Sequence, residues 1–249
     1  MILSRFVGTL LPFLCLAPLP AQASWDFTTG LDLSAGRYGG VADTSVISTP
    51  LAFRTQLEKI RIELTLPYLQ VKSPGTYTGS GVVGAGTSVT HYGVGDLTLG
   101  GAYILHADEA DLPSLEIAGS LKLPTAASTL GTGKVDYSLQ ANVHHFFTPR
   151  LMLFGSVGYQ WLNDFSIYTL NSGISASAGV NFRSSESTYV GFSGSFREPY
   201  APGVGNQYTL APFALWTFAP NWRATTYFVK GFSRASPRIG GGLRFTYFR

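Results

Sequence analysis

The sequence is poor in charge and nearly free of cysteine. Its one cysteine, Cys15, falls within the first 23 residues, so the remaining chain takes none of its stability from disulfides. Lys, Arg, Asp and Glu make up 12% of the residues, about half the roughly 25% usual in soluble domains. A surface facing water on every side would carry more. After residue 23 no stretch approaches the about 20 consecutive apolar residues of a spanning helix, which excludes helical membrane spans. The net charge of +3 is scattered, with no basic run interleaved with aromatics, and nucleic acid is not an expected partner. His91 and His106 are isolated, without metal-ligand spacing. Neither GAG at 84–86 nor GTG at 131–133 follows a strand-to-helix pattern, so no nucleotide loop, metal or other cofactor is expected.

What the sequence has instead is aromatic residues, 14% of the chain, 29 glycines, and an alternation of period two. In GVGDLTLGGAYIL (93–105), Leu97, Leu99, Gly101, Tyr103 and Leu105 share one face, while Val94, Asp96, Thr98, Gly100 and Ala102 share the other. In KIRIELTLPYLQV, Ile60, Ile62, Leu64, Leu66 and Tyr68 alternate with Arg61, Glu63 and Thr65. The last run sets Ile239, Gly241, Leu243, Phe245 and Tyr247 against Gly240, Gly242, Arg244 and Thr246. This is the pattern of strands whose two faces meet different surroundings.

Such runs predict about twelve strands, near 25–37, 45–55, 59–72, 92–106, 114–124, 135–147, 151–163, 173–183, 188–198, 207–218, 222–232 and 238–248. The phase is weakest at 45–55 and 222–232. Eleven residues at about 3.3 Å each, tilted near 45°, rise about 25 Å, the height of the apolar band of an outer-membrane barrel. Every second connection is short (QLEK, ADEAD, TPR, SSES, APN) and the others are long or glycine-rich. That order fits an even-stranded barrel with its termini and short turns on the periplasmic side. Aromatics near strand ends, among them Tyr68, Tyr103, Tyr159, Trp161, Trp216, Trp222 and Tyr247, fit interfacial girdles. A soluble β-sandwich would need a charge-rich outer face, whereas the polar face here is mostly Ser, Thr, Gly and Asn.

The expected fold is therefore all-β, a transmembrane antiparallel up-and-down barrel of about 12 strands. A lipid-facing charge costs up to about 2 to 4 kcal/mol at mid-membrane, so Asp96 is expected in a wet lumen, paired with Lys122 or Arg61. Arg61, Glu63, Asp96, Glu116, Lys122, Asp136, Arg183, Arg197 and Arg244 all take the inward phase, as do Phe154, Phe213 and Leu215. The charges can form a selective constriction or a set of mutually paired groups that stiffen the barrel; the phenylalanines can meet an aromatic solute or fill a narrow lumen.

The opening MILSRFVGTLLPFLCLAPLPAQAS has one basic residue, Arg5, an apolar run and Ala21-Gln22-Ala23. It reads as a signal peptide cleaved after Ala23. Leu14, before Cys15, stands where a lipoprotein site needs a small residue. Residues 24–249 are then the barrel, placed in a Gram-negative outer membrane. A first strand beginning near Ser24 leaves no N-terminal hatch inside the barrel, so a plug is expected from an outer loop, with 73–91 the candidate. His144 and His145 invite comparison with outer-membrane lipid hydrolases, but no nucleophile motif stands beside them, and no enzyme is expected.

Three stretches, TLPYL (65–69), GVGDLTLGGAYIL (93–105) and LKLPTAASTLGTGKVDYSL (121–139), resemble the outer-membrane protein family named for the meta-pathway of phenol degradation, whose members are described as transporters. The likeness is strongest over about 60 to 140; Ala126 stands where it would place glycine. It implies uptake of aromatic compounds. The implied partners are outer-membrane lipid and lipopolysaccharide, the barrel-assembly machinery and a small hydrophobic or aromatic solute. The chain ends Tyr247-Phe248-Arg249, one residue beyond the terminal aromatic that this machinery reads. Passive passage through a narrow lumen is the expected function, since twelve strands lie between the filled eight-stranded barrel and the open porin of 16 to 18. A closed structural or adhesive barrel is the alternative, and a lipid hydrolase a more distant one.

Overall fold

In the computed structural model, residues 24–40, 42–77, 82–83, 86–107, 112–165 and 168–249 are described. The segment read as a signal peptide lies outside them. The strands are β1 (Ser24–Gly36), β2 (Thr44–Leu57), β3 (Ile60–Ser73), β4 (Thr76–Tyr77), β5 (Val82–Val83), β6 (Val89–Val94), β7 (Leu97–His106), β8 (Ser114–Leu123), β9 (Asp136–Thr148), β10 (Leu151–Trp161), β11 (Gly173–Arg183), β12 (Thr188–Arg197), β13 (Gln207–Ala219), β14 (Trp222–Gly231) and β15 (Ile239–Phe248). No described residue is helical.

From β7 to β15 and from β1 to β3 each strand pairs antiparallel with the next, and β1 pairs with β15 from Asp26 opposite Phe248 to Ala35 opposite Ile239. The sheet is thereby closed, and no edge remains to be capped. β3 pairs with β7 over Ile60–Thr65 and with β6 over Tyr68–Ser73. β6 and β7 are the two halves of one barrel strand, which makes twelve, as the alternation predicts. The small β4–β5 hairpin lies in the connection after β3.

That divided strand corrects the sequence reading, which ran 92–106 unbroken with Val94 on the face of Asp96. The ladder breaks at Gly95–Asp96: Val94 is 47% exposed on the outside, and Asp96 is buried within. The cause is Pro67 on β3, which has no N–H to donate. It only accepts, from the Gly95 amide at 2.7 Å. The Thr125 hydroxyl bridges the gap, accepting from the Leu97 amide at 2.8 Å and donating to the Gly95 carbonyl at 3.1 Å. The expected loop 73–91 is shortened accordingly, because 89–91 belong to β6.

The distribution of side chains is the inverse of a soluble protein's. Val157 on β10 is 56% exposed on the outside, while Lys122 on β8 is 0% exposed on the inside. Leaving so much apolar surface open would be unfavourable in water by about 25 cal/mol per Å²; lipid removes that cost. At the short-turn end the outer aromatics form a band. Trp25 stacks on Phe53 and leans on Tyr247, which meets Trp222, and Trp222 stacks on Phe218.

Candidate functional site

The period of two that turns apolar side chains outward delivers the polar ones to the lumen, where four charged clusters form. On β8, Lys122 places its ammonium 2.8 Å from Asp136 and 3.2 Å from Asp96, and donates to the Thr132 hydroxyl at 3.0 Å. The same two carboxylates fix backbone: Asp96 accepts from the Ala126 amide at 3.0 Å and Asp136 from the Asn163 amide at 3.1 Å. Buried charges are tolerable when paired and hydrogen-bonded in this way. The cluster ties the segment 124–134 to the inside of the barrel, and a Cβ at Gly131 would sit 2.9 Å from the Asp96 carboxylate.

Nearer the short turns, Arg61 donates to Glu116 at 2.6 Å, and Asn142 donates to the same oxygen at 2.7 Å. On the closing side of the barrel, Arg244 forks onto Asp32, with Nε 2.9 Å from Oδ1, and the Tyr227 hydroxyl donates to Asp32 as well. Arg54 forks onto Asp26 at 2.8 and 3.0 Å. Asp26, Asp32 and Arg54 went unnoticed in the sequence. The first two sit in plain alternation with Trp25, Phe27, Leu31 and Leu33, and that phase could have found them. Arg54 is hidden because its inward companions mix polar Thr44 and Ser48 with apolar Val46, Pro50 and Ala52, while Ser45, Thr49 and Thr55 lie on the other face.

The remaining candidates are dispersed. Glu63 is half-buried and accepts from the Thr65 hydroxyl at 3.2 Å. Arg183 turns to the short-turn end, donating to the carbonyls of Ser185 and Glu186. Arg197 lies at the opposite end, where its charge acts on Tyr200. Phe154, Phe213 and Leu215 are buried in the interior, the two rings 6.4 Å apart between centroids. His144 stands opposite Ser114 in the β8–β9 ladder.

The lumen has two unlike walls. Inward side chains of β1, β14 and β15 are buried, Asp32, Tyr227 and Arg244 among them. Along β9 to β12 a set of inward positions is half-exposed, Ser138, Gln140, Ser156, Gly158, Ser177 and Ser195 among them, between buried ones such as Asn142, Phe154 and Ser193. Open space therefore runs beside this serine-rich wall. An apolar cluster containing Leu69, Val71, Leu130, Met152, Phe154, Phe213 and Tyr227 occupies the rest.

The long-loop end is covered. Tyr38, in the β1–β2 connection, and Tyr77 and Val82, from the β4–β5 hairpin, are buried in that same cluster. The Tyr200 hydroxyl, in the β12–β13 connection, donates to the Tyr38 carbonyl and accepts from the Val82 amide at 3.3 Å, joining three connections at one atom. Tyr38 takes a left-handed backbone with φ of 50°, at a cost of about 1 kcal/mol that its buried ring offsets. Burial pushes the Tyr200 phenol up to about 12, against the opposing pull of the Val82 backbone hydrogen bond and the Arg197 charge. Burial raises the Tyr38 phenol as well.

No protein-family model and no curated protein sequence matches the chain. Among solved structures it is similar to an outer-membrane channel from Pseudomonas putida F1, with a TM-score of 0.69 and 18% identity over 93% of this chain and 97% of that one. It is also similar to the KdgM porin, with a TM-score of 0.55 and 10% identity over 90% and 98% of the two chains. A third is the CymD monoaromatic hydrocarbon channel, with a TM-score of 0.51 and 11% identity over 97% and 92%. At these identities the likeness is one of fold: the chain has the closed twelve-stranded architecture found in outer-membrane channels.

Proposed function

We propose that this protein is an outer-membrane channel through which small hydrophobic or aromatic molecules diffuse down their gradient. The observation that carries the reading is the lumen itself, where half-exposed hydroxyls on β9 to β12 face an apolar, aromatic cluster. Such a passage offers contact to a ring and a hydrogen bond to a polar edge, and it is too filled for a general pore. The family resemblance of residues 65–69, 93–105 and 121–139 points to aromatic compounds, and one similar structure is described as a monoaromatic hydrocarbon channel. The loop holding β4 and β5, with Tyr77 and Val82 packed under Tyr200, is the gate in this reading. The charged clusters serve as struts, since Lys122, Arg61, Arg54 and Arg244 each have a carboxylate within 3.2 Å.

The same pairing and the covered mouth favour a second reading, a closed structural barrel. Uptake by intact cells whose outer membrane is otherwise poor in channels separates the two. A labelled small aromatic should enter faster than a sugar of similar size. Equal entry of both would indicate a general pore, and entry of neither, with the barrel inserted and folded, would favour the closed barrel.

A further inference from the structure

The interior phenylalanines are arranged in a way that the passage reading does not by itself require. Phe154 on β10 is directly opposite Gly179 on β11, and Phe213 on β13 is directly opposite Gly191 on β12. Each ring lies across the glycine it faces: a Cβ at Gly179 would overlap Cζ of Phe154, and one at Gly191 would overlap Cζ of Phe213. Two rings thus reach toward each other from β10 and β13 over two glycines on the strands between. Their planes meet at 45°, and each ring is 6% exposed.

Toward the long loops, two residues along from Phe154 and Gly179 and four from Gly191 and Phe213, the residues Ser156, Ser177, Ser195 and Thr209 stand opposite one another in successive strands. They are bonded in pairs, Ser156 with Ser177 at 2.7 Å and Ser195 with Thr209 at 2.6 Å. Each hydroxyl pair uses one donor internally, which leaves a second O–H and several lone pairs for a visitor. The three serines are half-exposed while the rings below are buried. An open hydroxyl tier therefore ends on a closed aromatic one.

We propose that Phe154 and Phe213, laid over Gly179 and Gly191, form the constriction that decides which solutes pass. The hydroxyl tier receives a small molecule by its polar edge, and the rings below bar anything broader than a single aromatic ring. The glycines are part of the device. By leaving the wall hollow they let each ring lie along it, where a Cβ would drive the ring into the lumen and narrow the way. This rests on the channel reading above and assigns its selectivity to four residues rather than to the charged clusters.

The test is uptake of benzyl alcohol and of its two-ring counterpart, naphthylmethanol, by cells carrying the full-length protein in a channel-poor outer membrane. The original protein should admit the first and hold back the second. In the double variant Phe154→Ala with Phe213→Ala, uptake of the two-ring alcohol should rise about tenfold, the low end of what a change of fit in an apolar pocket does, with the one-ring alcohol little changed. A Cβ at Gly191 also comes within 2.5 Å of the Val180 carbonyl, so the glycine variant strains the ladder, and the phenylalanines carry the first test. Where Gly191→Ala inserts, it should slow the one-ring alcohol, and adding Phe213→Ala should restore it. Equal passage of both alcohols through the original protein would overturn the proposal. So would unchanged two-ring uptake in a double variant shown to be folded by its heat-dependent gel mobility. Failure of the original protein to pass either alcohol would instead refute the channel reading on which the proposal stands.

Discussion

Asp32, in the first barrel strand, holds Arg244, in the last, through both carboxylate oxygens, with Nε 2.9 Å from Oδ1. The two side chains are 1% and 2% exposed and cross the seam at which the barrel closes. Gly242, opposite Asp32, makes the room, since a Cβ there would overlap the carboxylate. Truncating one member of such a buried pair strands the other, at a cost of about 3 to 5 kcal/mol. Arg244→Ala should accordingly lower the denaturant midpoint of the inserted barrel, followed by its heat-modifiable mobility on gels. Asp32→Ala in the same chain should recover part of the loss. A single variant as stable as the original would mean that the seam depends on backbone pairing alone.

Lys122 offers a related prediction with a different readout. Its ammonium is the cation shared by Asp96 and Asp136, and those acids in turn hold the Ala126 and Asn163 amides. Lys122→Met would leave two buried carboxylates without their shared cation, at a cost of several kcal/mol. The segment 124–134 should then leave the lumen. Single-channel conductance in a planar bilayer should rise, while a conductance equal to that of the original protein would mean that the segment stays in place without the lysine.

The fold was legible because a strand that separates lipid from lumen writes that separation into every second residue. The twelve strands and their short turns followed from this, and errors of phase arose where the alternation fails locally. At Gly95–Asp96 the sequence kept alternating, but Pro67, some thirty residues earlier, removed the donor that would have kept β6 and β7 in one ladder. No local signal marks such a break. Asp96, Lys122 and Asp136 could be placed inward from the sequence, and Asp96 was expected to choose between Lys122 and Arg61; register decided it. Lys122 is directly opposite both Thr98 and Asp136, while Arg61, at the other end of β3, reaches Glu116. The Tyr200 junction was not legible at all, because connections of irregular backbone carry no period from which contacts can be read.

The assignment of faces can be tested on a single strand. Val157 points out near the middle of β10, so Val157→Arg should cost about 2 to 4 kcal/mol when the chain folds into liposomes, the cost of a cation at the bilayer midplane. Gln140 faces inward beside Gly158 on the half-exposed wall. Gln140→Lys keeps its charge in the wet lumen and should cost less than about 1 kcal/mol. Reversal of this order, measured by urea titration in the same lipid, would exchange lumen and lipid faces.

The covering of the long-loop end should loosen in alkali, and the sign follows from burial. The Tyr200 phenol is pushed up to about 12, so the folded chain prefers the neutral hydroxyl that donates to the Tyr38 carbonyl. An exposed phenol titrates near 10. Below that value the contribution of Tyr200 is fully present, and it is lost as pH rises through about 12, where the hydroxyl surrenders its proton and with it the bond to Tyr38. Limited proteolysis of the segment 74–88 should accelerate across that window with the strands still intact. Tyr200→Phe should remove most of the response and, through the lost hydrogen bond, weaken the junction at neutral pH by about 1 kcal/mol. The raised phenol of Tyr38, bonded to the Ser34 hydroxyl, would supply whatever response persists at still higher pH. Unaltered proteolysis from neutral pH to 12 would show that packing of Tyr38, Tyr77 and Val82, rather than the Tyr200 hydroxyl, keeps the mouth covered.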